Sequence, residues 1–265
     1  MEGASRGAGV PGDSMMTDNS AVPLPRFYAP DLDASARVAR LPPDEANHLT
    51  RVLRLGAGDE VAVFDGRGHE FRAKVASAAR EVVDIELLDR IDPAAEPRVP
   101  LTLVQAVLKG DKMDEVIRDA TMMGVTAIEP VITSRTIARQ TGRETERWSR
   151  VAVSSAKQCR RATVPPIAPA RPFNDWLKTQ AHGLPLILVE PSAAAGNESS
   201  LRLLEHHAAG SIALLVGPEG GWTPEECEQA VNGACVPVTL GGLTLRADAI
   251  SIAALAVVRF ALKDF

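Results

Sequence analysis

The sequence predicts an α/β protein, with a parallel sheet covered on both faces and a small β-rich domain ahead of it. Three observations carry this. From Leu101 onward, short apolar strands alternate with helical patterns, the order of a parallel sheet built from strand–helix units. Residues 25–92 hold short strands bounded by turn residues and a single short helical stretch. Between the two parts, residues 93–100 carry Pro93, Pro97 and Pro100 without periodicity, the composition of a linker.

Bulk properties fit two such domains. The chain has 265 residues, 45% apolar and 24% charged, enough for two real cores. A net charge of -5 excludes a protein coated in nucleic acid, so any RNA contact must be a local patch. Cys159, Cys227 and Cys235 are odd in number and lack metal-ligand spacing. They point to reduced thiols in a cytoplasmic protein with no metal. No apolar run reaches the length of a membrane span.

Residues 1–24 are rich in Gly, Ala, Ser and Asp without period and read as a disordered tail. Arg26–Ala29 is an edge strand. Pro43–Arg54 places Ala46, Leu49, Val52 and Leu53 at helical spacing, a short amphipathic helix. Val61–Phe64, the turn Asp65–Gly68 and Glu70–Val75 form a hairpin, and Val82–Leu88 is a further strand. A compact barrel of this kind is a common nucleic-acid module. His48, Arg51 and Arg54 lie near one face of its helix, where they can meet phosphates or simply form a solvated face.

In the second part the expected strands are Leu101–Val107, Ala127–Ile132, Leu184–Val189, Ile212–Val216 and Cys235–Leu240. The expected helices are Asp111–Met123, Arg143–Cys159, Asn174–Ala181, Ser199–His207, Thr223–Val231 and Ala247–Leu262. Residues 135–171 contain nine basic side chains, among them Arg135, Arg139, Arg160 and Arg161, against Glu144 and Glu146. That local excess of seven is either a phosphate footprint or a solubilising helix face. Ile250, Ile252, Ala253, Leu255, Ala256 and Val258 cover too much of the last helix for one sheet face, which predicts a homodimer.

The most informative stretch follows the strand Ile212–Val216. Gly217-Pro218-Glu219-Gly220-Gly221 allows close backbone approach, and Thr223 then caps a helix that begins at Pro224. No lysine sits where a phosphate loop needs one, and Glu219 would repel a pyrophosphate. Such a loop suits a neutral or cationic ligand, and S-adenosylmethionine is one. Three strand ends converge on it: Val189–Pro191, Gly217–Gly221 and Leu240–Leu245.

Val216-Gly-Pro-Glu-Gly-Gly-Trp-Thr-Pro-Glu-Glu226 followed by Leu240-Gly-Gly-Leu-Thr-Leu-Arg246 resembles the SPOUT methyltransferases. Within them the chain is most similar to the family that methylates N3 of a uracil in 16S ribosomal RNA of the small subunit. Ala46–Arg54, Phe64-Asp-Gly66, Lys109-Gly-Asp-Lys-Met113 and Gln158-Cys159 extend the likeness from Pro25 onward. The resemblance implies a PUA-like RNA-binding β-barrel, then a trefoil-knotted parallel-sheet domain over 101–265, with knot and cofactor site at about 184–250. It places S-adenosylmethionine on Val189, Glu190, Gly217, Glu219, Gly220, Gly221, Leu240, Gly241, Leu243 and Leu245, and adds Lys109 and Lys112 to the RNA contacts.

The family's usual Leu-Arg-Thr-Glu-Thr-Ala reads Leu245-Arg-Ala-Asp-Ala-Ile250 here, and its Glu-Gln-Cys-Gly-Arg reads Lys157-Gln-Cys-Arg-Arg161. These departures keep two alternatives open: a non-catalytic RNA or ribosome-assembly factor, and an enzyme acting on a ribose 2′-oxygen or a guanine. Methylation of uracil N3 requires its proton to leave and the resulting charge to be held. Asp248 is the expected base, directly or through water, Arg246 is expected to hold the uracil oxygens or the flanking phosphate, and Glu219 is the rival base; the plain alternative is that Arg246 and Asp248 only pair at a helix start.

Overall fold

The computed structural model describes residues 24–79, 81–137, 142–180, 183–191, 199–201, 204 and 210–264. The expected tail lies almost wholly outside the described residues, as does Arg139. The first part is a five-stranded sheet in the order β1-β3-β4-β5-β2. Its strands are β1 (Arg26–Tyr28), β2 (Val38–Arg40), β3 (Glu60–Phe64), β4 (Glu70–Ala79) and β5 (Val82–Ile91). β1 runs parallel to β3 and the other pairings are antiparallel; β1 stands at the end of the strand order, the edge position expected of it. β4 alternates buried and exposed along its first half, the pattern of a sheet with one wet face. The inward side chains pack with Phe27, Leu41, Ala46 and Leu49 into one core.

The short helix differs from expectation. α1 (Pro43–Asn47) runs into a π-helical turn, His48–Val52. The wider turn rotates later residues off the buried face, so Ala46 and Leu49 are buried while Val52 and Leu53 are exposed.

The second part is a seven-stranded sheet in the order β10-β12-β9-β11-β6-β7-β8, parallel throughout. Its strands are β6 (Leu101–Ala106), β7 (Ala127–Ile132), β8 (Arg171–Pro172), β9 (Leu184–Leu188), β10 (Ser199–Ser200), β11 (Ile212–Val216) and β12 (Val236–Thr239). Its helices are α2 (Lys112–Met122), α3 (Glu144–Cys159), α4 (Phe173–Thr179), α5 (Pro224–Asn232) and α6 (Ala247–Ala261). β6 and β11 are buried along their whole length. Leu101, Leu103, Leu214 and Val216 face a core shared with α2, α3 and α6. Val104, Ala106, Ala213 and Leu215 face the other side with Phe173 and Trp176 of α4. That two-sided burial is why these strands are continuous apolar runs.

The expected helix Ser199–His207 is not present as such. Ser199–Ser200 pairs with β12 as an edge strand, because its backbone completes the last ladder, and the remainder lies largely outside the described residues. From β12, residues 240–246 return past the ends of β9 and β11 to α6, which packs on α2 and β11. A trefoil arrangement needs this passage.

The two parts are fastened together. Arg26 of β1 donates to the carbonyls of Ala156, Lys157 and Arg161 at the end of α3, and pairs with Glu70 at 2.8 Å. A cation on those carbonyls also answers the negative end of the helix. Lys157 pairs with Glu45 of α1 at 2.7 Å.

Candidate functional site

The carboxyl ends of β9, β11 and β12 converge on one crevice, lined by residues 188–191, Val216–Glu219, Gly221, Trp222 and 243–247 among others. Its shape comes from the glycines. Gly221 has φ +68°, and a Cβ there would lie 2.8 Å from Glu190 Oε1. A Cβ on Gly217 would press on the Trp222 indole at 3.2 Å. That indole donates to the Leu188 carbonyl at 2.9 Å, which ties the glycine loop to the end of β9. α5 starts with the expected Thr223 cap, and Glu226 completes a capping box while also accepting the Ser134 N–H at 2.8 Å.

Val189, Glu190, Gly217, Glu219, Gly221, Leu240, Leu243, Leu245 and Arg246 all line the crevice. Gly220 and Gly241 do not line it. Gly220 turns outward against Arg135, whose Cβ would lie 3.3 Å from an added methyl group. Glu219 accepts the Lys109 N–H at 3.2 Å and approaches Lys112 Nζ at 3.4 Å. Its burial opposes ionisation, but its own backbone N–H, that of Lys109 and the Lys112 ammonium outweigh it, holding the carboxyl below its ordinary range. Glu219 is therefore an ionised loop anchor, a poor fit for the rival base.

Asp248 also lies off the crevice lining. It sits in the first turn of α6, where the helix dipole favours a carboxylate, and Arg246 Nε lies 3.3 Å from its Oδ1. This approach is an ion pair without hydrogen-bond alignment, and Oδ1 is buried without a hydrogen-bond partner. Arg246 is largely exposed at the crevice mouth. The structure thus places the expected base behind the arginine.

The expected RNA contacts divide. Arg161 is 6% exposed, pairs with Glu96 at 2.6 Å and donates to the Thr121 and Val125 carbonyls, so it fastens the linker and cannot meet RNA. Burial is tolerated because each nitrogen of the guanidinium finds an acceptor. Arg135 donates to the Gly220 and Trp222 carbonyls, holding the glycine loop from outside. Lys112 lines the crevice. Arg51 pairs loosely with Glu81 at 3.9 Å, and Arg54, with φ +56°, is exposed. His48 and Arg160 remain together with Lys157 along a larger concavity between the sheet of the first part and α3.

That concavity has a volume of about 1290 Å³, against about 200 Å³ for the crevice. Size does not locate the chemistry. The larger space is an open groove bridged by the Lys157–Glu45 pair, whereas the smaller one lies at three strand ends with backbone exposed by Gly217 and Gly221. The sequence reading missed Trp222 and the buried Gln105, whose side chain reaches the Gly217 carbonyl. A lone amide in an apolar strand was the available signal.

A small β domain fastened to a parallel sheet, with a glycine-walled crevice at the strand ends, defines a two-part ligand-binding α/β enzyme. The family model described as RNA methyltransferase domain matches residues 95–259, and that described as RNA methyltransferase PUA domain matches residues 41–88. A Synechocystis protein named ribosomal RNA small subunit methyltransferase E is 33% identical over 220 residues, covering 83% of this chain and 72% of the relative. A Mycobacterium bovis protein of the same name is 31% identical, covering 88% and 90%. The crystal structure of the Neisseria gonorrhoeae protein of that name, bound to S-adenosyl methionine, aligns with a TM-score of 0.80 at 31% identity, covering 89% and 97%. The chain belongs to the RNA methyltransferase family, among the proteins named ribosomal RNA small subunit methyltransferase E.

Proposed function

We propose that this chain is a homodimeric enzyme that uses S-adenosylmethionine to methylate N3 of a uracil in 16S ribosomal RNA. The observation that carries the reading is the crevice itself. Its walls are backbone opened by Gly217 and Gly221, and Glu190 and Glu219 line it, the latter paired with Lys112. A cationic ligand with an adenosine body fits that donor set, and a polyphosphate does not. When bound, S-adenosylmethionine supplies an electrophilic methyl group.

The chain's own residues must do the rest. The uracil N3 proton has to leave, and the charge then spreads to O2 and O4. Arg246, at the crevice mouth, is the group whose planar fork holds one of those oxygens or the flanking phosphate, leaving the N3 edge open to the methyl group. Asp248, paired behind it, acts as a positioning residue that fixes the fork. This revises its expected role as base and leaves proton removal to solvent. RNA docks across the groove between the two parts, with exposed Arg160 at the end of α3 as a contact.

The dimer is proposed through the outer stripe of α6. Leu255 and Val258 are buried within the chain against α2 and β11, so they are not available as expected. Ala249, Ala253, Ala256 and Phe260 recur at i, i+4, i+7 and i+11, and Phe260 and the neighbouring Val257 are exposed.

Labelled methyl transfer to small ribosomal subunits lacking the modification, followed by nucleoside analysis, tests the reaction. N3-methyluridine is expected, and Arg246→Ala should lower turnover about a hundredfold with cofactor affinity nearly unchanged. Label in a ribose or a guanine, or none, would overturn the assignment.

A further inference from the structure

β6 carries one fully buried amide. Gln105 is 0% exposed and sits on the face of the sheet that meets α6. A side chain there loses its water and must find partners within the protein. It finds them on β6 itself, at the start of the glycine loop and on α6. Its Nε2 donates to the Ala106 carbonyl at 3.1 Å and, at 3.5 Å, to the Gly217 carbonyl at the start of the glycine loop. Its Oε1 accepts from Ser251 Oγ at 2.7 Å. The Ser251 hydroxyl has one proton, shared with the Ala247 carbonyl 2.9 Å away. Gly217 and Ala247 both line the crevice, and Arg246 directly precedes Ala247.

A leucine would fill the same space without joining the loop to the helix. We infer that Gln105 is a positioning residue: through Gly217 and Ser251 it sets the glycine loop against the start of α6, and so sets Arg246 relative to the bound cofactor. This rests on the reading of the crevice given above. The two ends of the amide have separable tasks. The nitrogen holds the loop that receives the cofactor, and the oxygen holds the helix that presents the arginine.

The test compares Gln105→Leu, Gln105→Glu and Ser251→Ala with Arg246→Ala, all in the full chain. Melting curves confirm folding, calorimetry gives S-adenosylmethionine affinity, and single-turnover transfer at saturating cofactor gives the rate. Gln105→Leu should lower the rate about tenfold or more. Gln105→Glu keeps an acceptor for Ser251 but loses the donor to Gly217, so it should weaken cofactor affinity more than Ser251→Ala does. Ser251→Ala should affect the rate more than the affinity. In an Arg246→Ala background, Gln105→Leu should cost less than about threefold further, because no placed guanidinium remains to be misaligned. Fully multiplicative losses in the double variant, or a wild-type rate in Gln105→Leu, would overturn the inference. Full turnover in Arg246→Ala would instead remove Arg246 from the reaction. The calorimetric ranking of Gln105→Glu and Ser251→Ala would still decide whether Gln105 places the loop.

Discussion

Replacing Gly221 with alanine isolates what the glycine loop does. At φ +68° an L-residue costs about 1–2 kcal/mol relative to glycine. The new Cβ would also lie 2.8 Å from Glu190 Oε1, the far end of a flexible side chain that can swing aside at little energetic cost. Global stability should therefore fall by only about 1–2 kcal/mol, roughly 2–8 °C in melting temperature for a chain of this size. The larger effect is local, since a displaced Glu190 and a shifted loop spoil the cradle. S-adenosylmethionine affinity measured by calorimetry should drop more than about tenfold, or over 1.4 kcal/mol. Gly220→Ala is the control. Its backbone is not in the left-handed region, and its Cβ meets Arg135 rather than the crevice. Affinity should change less than about threefold there. Equal losses in the two variants would show that the ligand approaches the other side of the loop.

Other outcomes follow from buried groups. Arg259 is 1% exposed and serves the Val99 and Gly124 carbonyls and Asp264, so Arg259→Ala should destabilise by about 3–5 kcal/mol in urea melts; a loss below about 1 kcal/mol would show the clamp to be redundant. Burial opposes ionisation of Asp264, but the Val99 and Arg98 N–H groups and Arg259 outweigh it and hold its carboxyl below the ordinary range. Its contribution is thus present above about pH 4 and fades as pH falls through the lowered value, so Asp264→Asn should flatten the acid limb of a stability–pH curve. Cys235 is 3% exposed and burial pushes its thiol up to about 11, so at pH 8 the native protein should alkylate there more slowly than at Cys159; equal labelling of the two in peptide maps would refute this. Phe260→Glu should yield a monomer by light scattering where the parent chain gives a dimer, and a monomeric parent would remove the proposed interface.

The architecture of the second part was readable because its signals are local. β7 and β11 fall on the expected residues, and the other main strands and α2, α3, α5 and α6 lie within a residue or so of expectation. Buried strands need apolar runs, and helix starts need caps such as Thr223, so composition and spacing suffice. Edge strands such as β8 and β10 have only two residues and no apolar run, and arise from pairing with a neighbour that the sequence does not reveal. The π-helical turn at His48–Val52 is likewise invisible to a 3.6-residue period. The site divides in the same way. The loop Gly217–Gly221 announces itself through its glycines, but which glycine faces the ligand depends on what packs behind it, here Arg135 for Gly220 and Glu190 for Gly221. Arg160 and Arg161 are adjacent and alike in sequence, yet one is exposed at the end of α3 while the other is buried on carbonyls of α2 and the loop after it. Charge patterns record residue type, whereas burial and partnership are set by elements distant in the chain, such as Glu96 for Arg161 and Ser251 for Gln105.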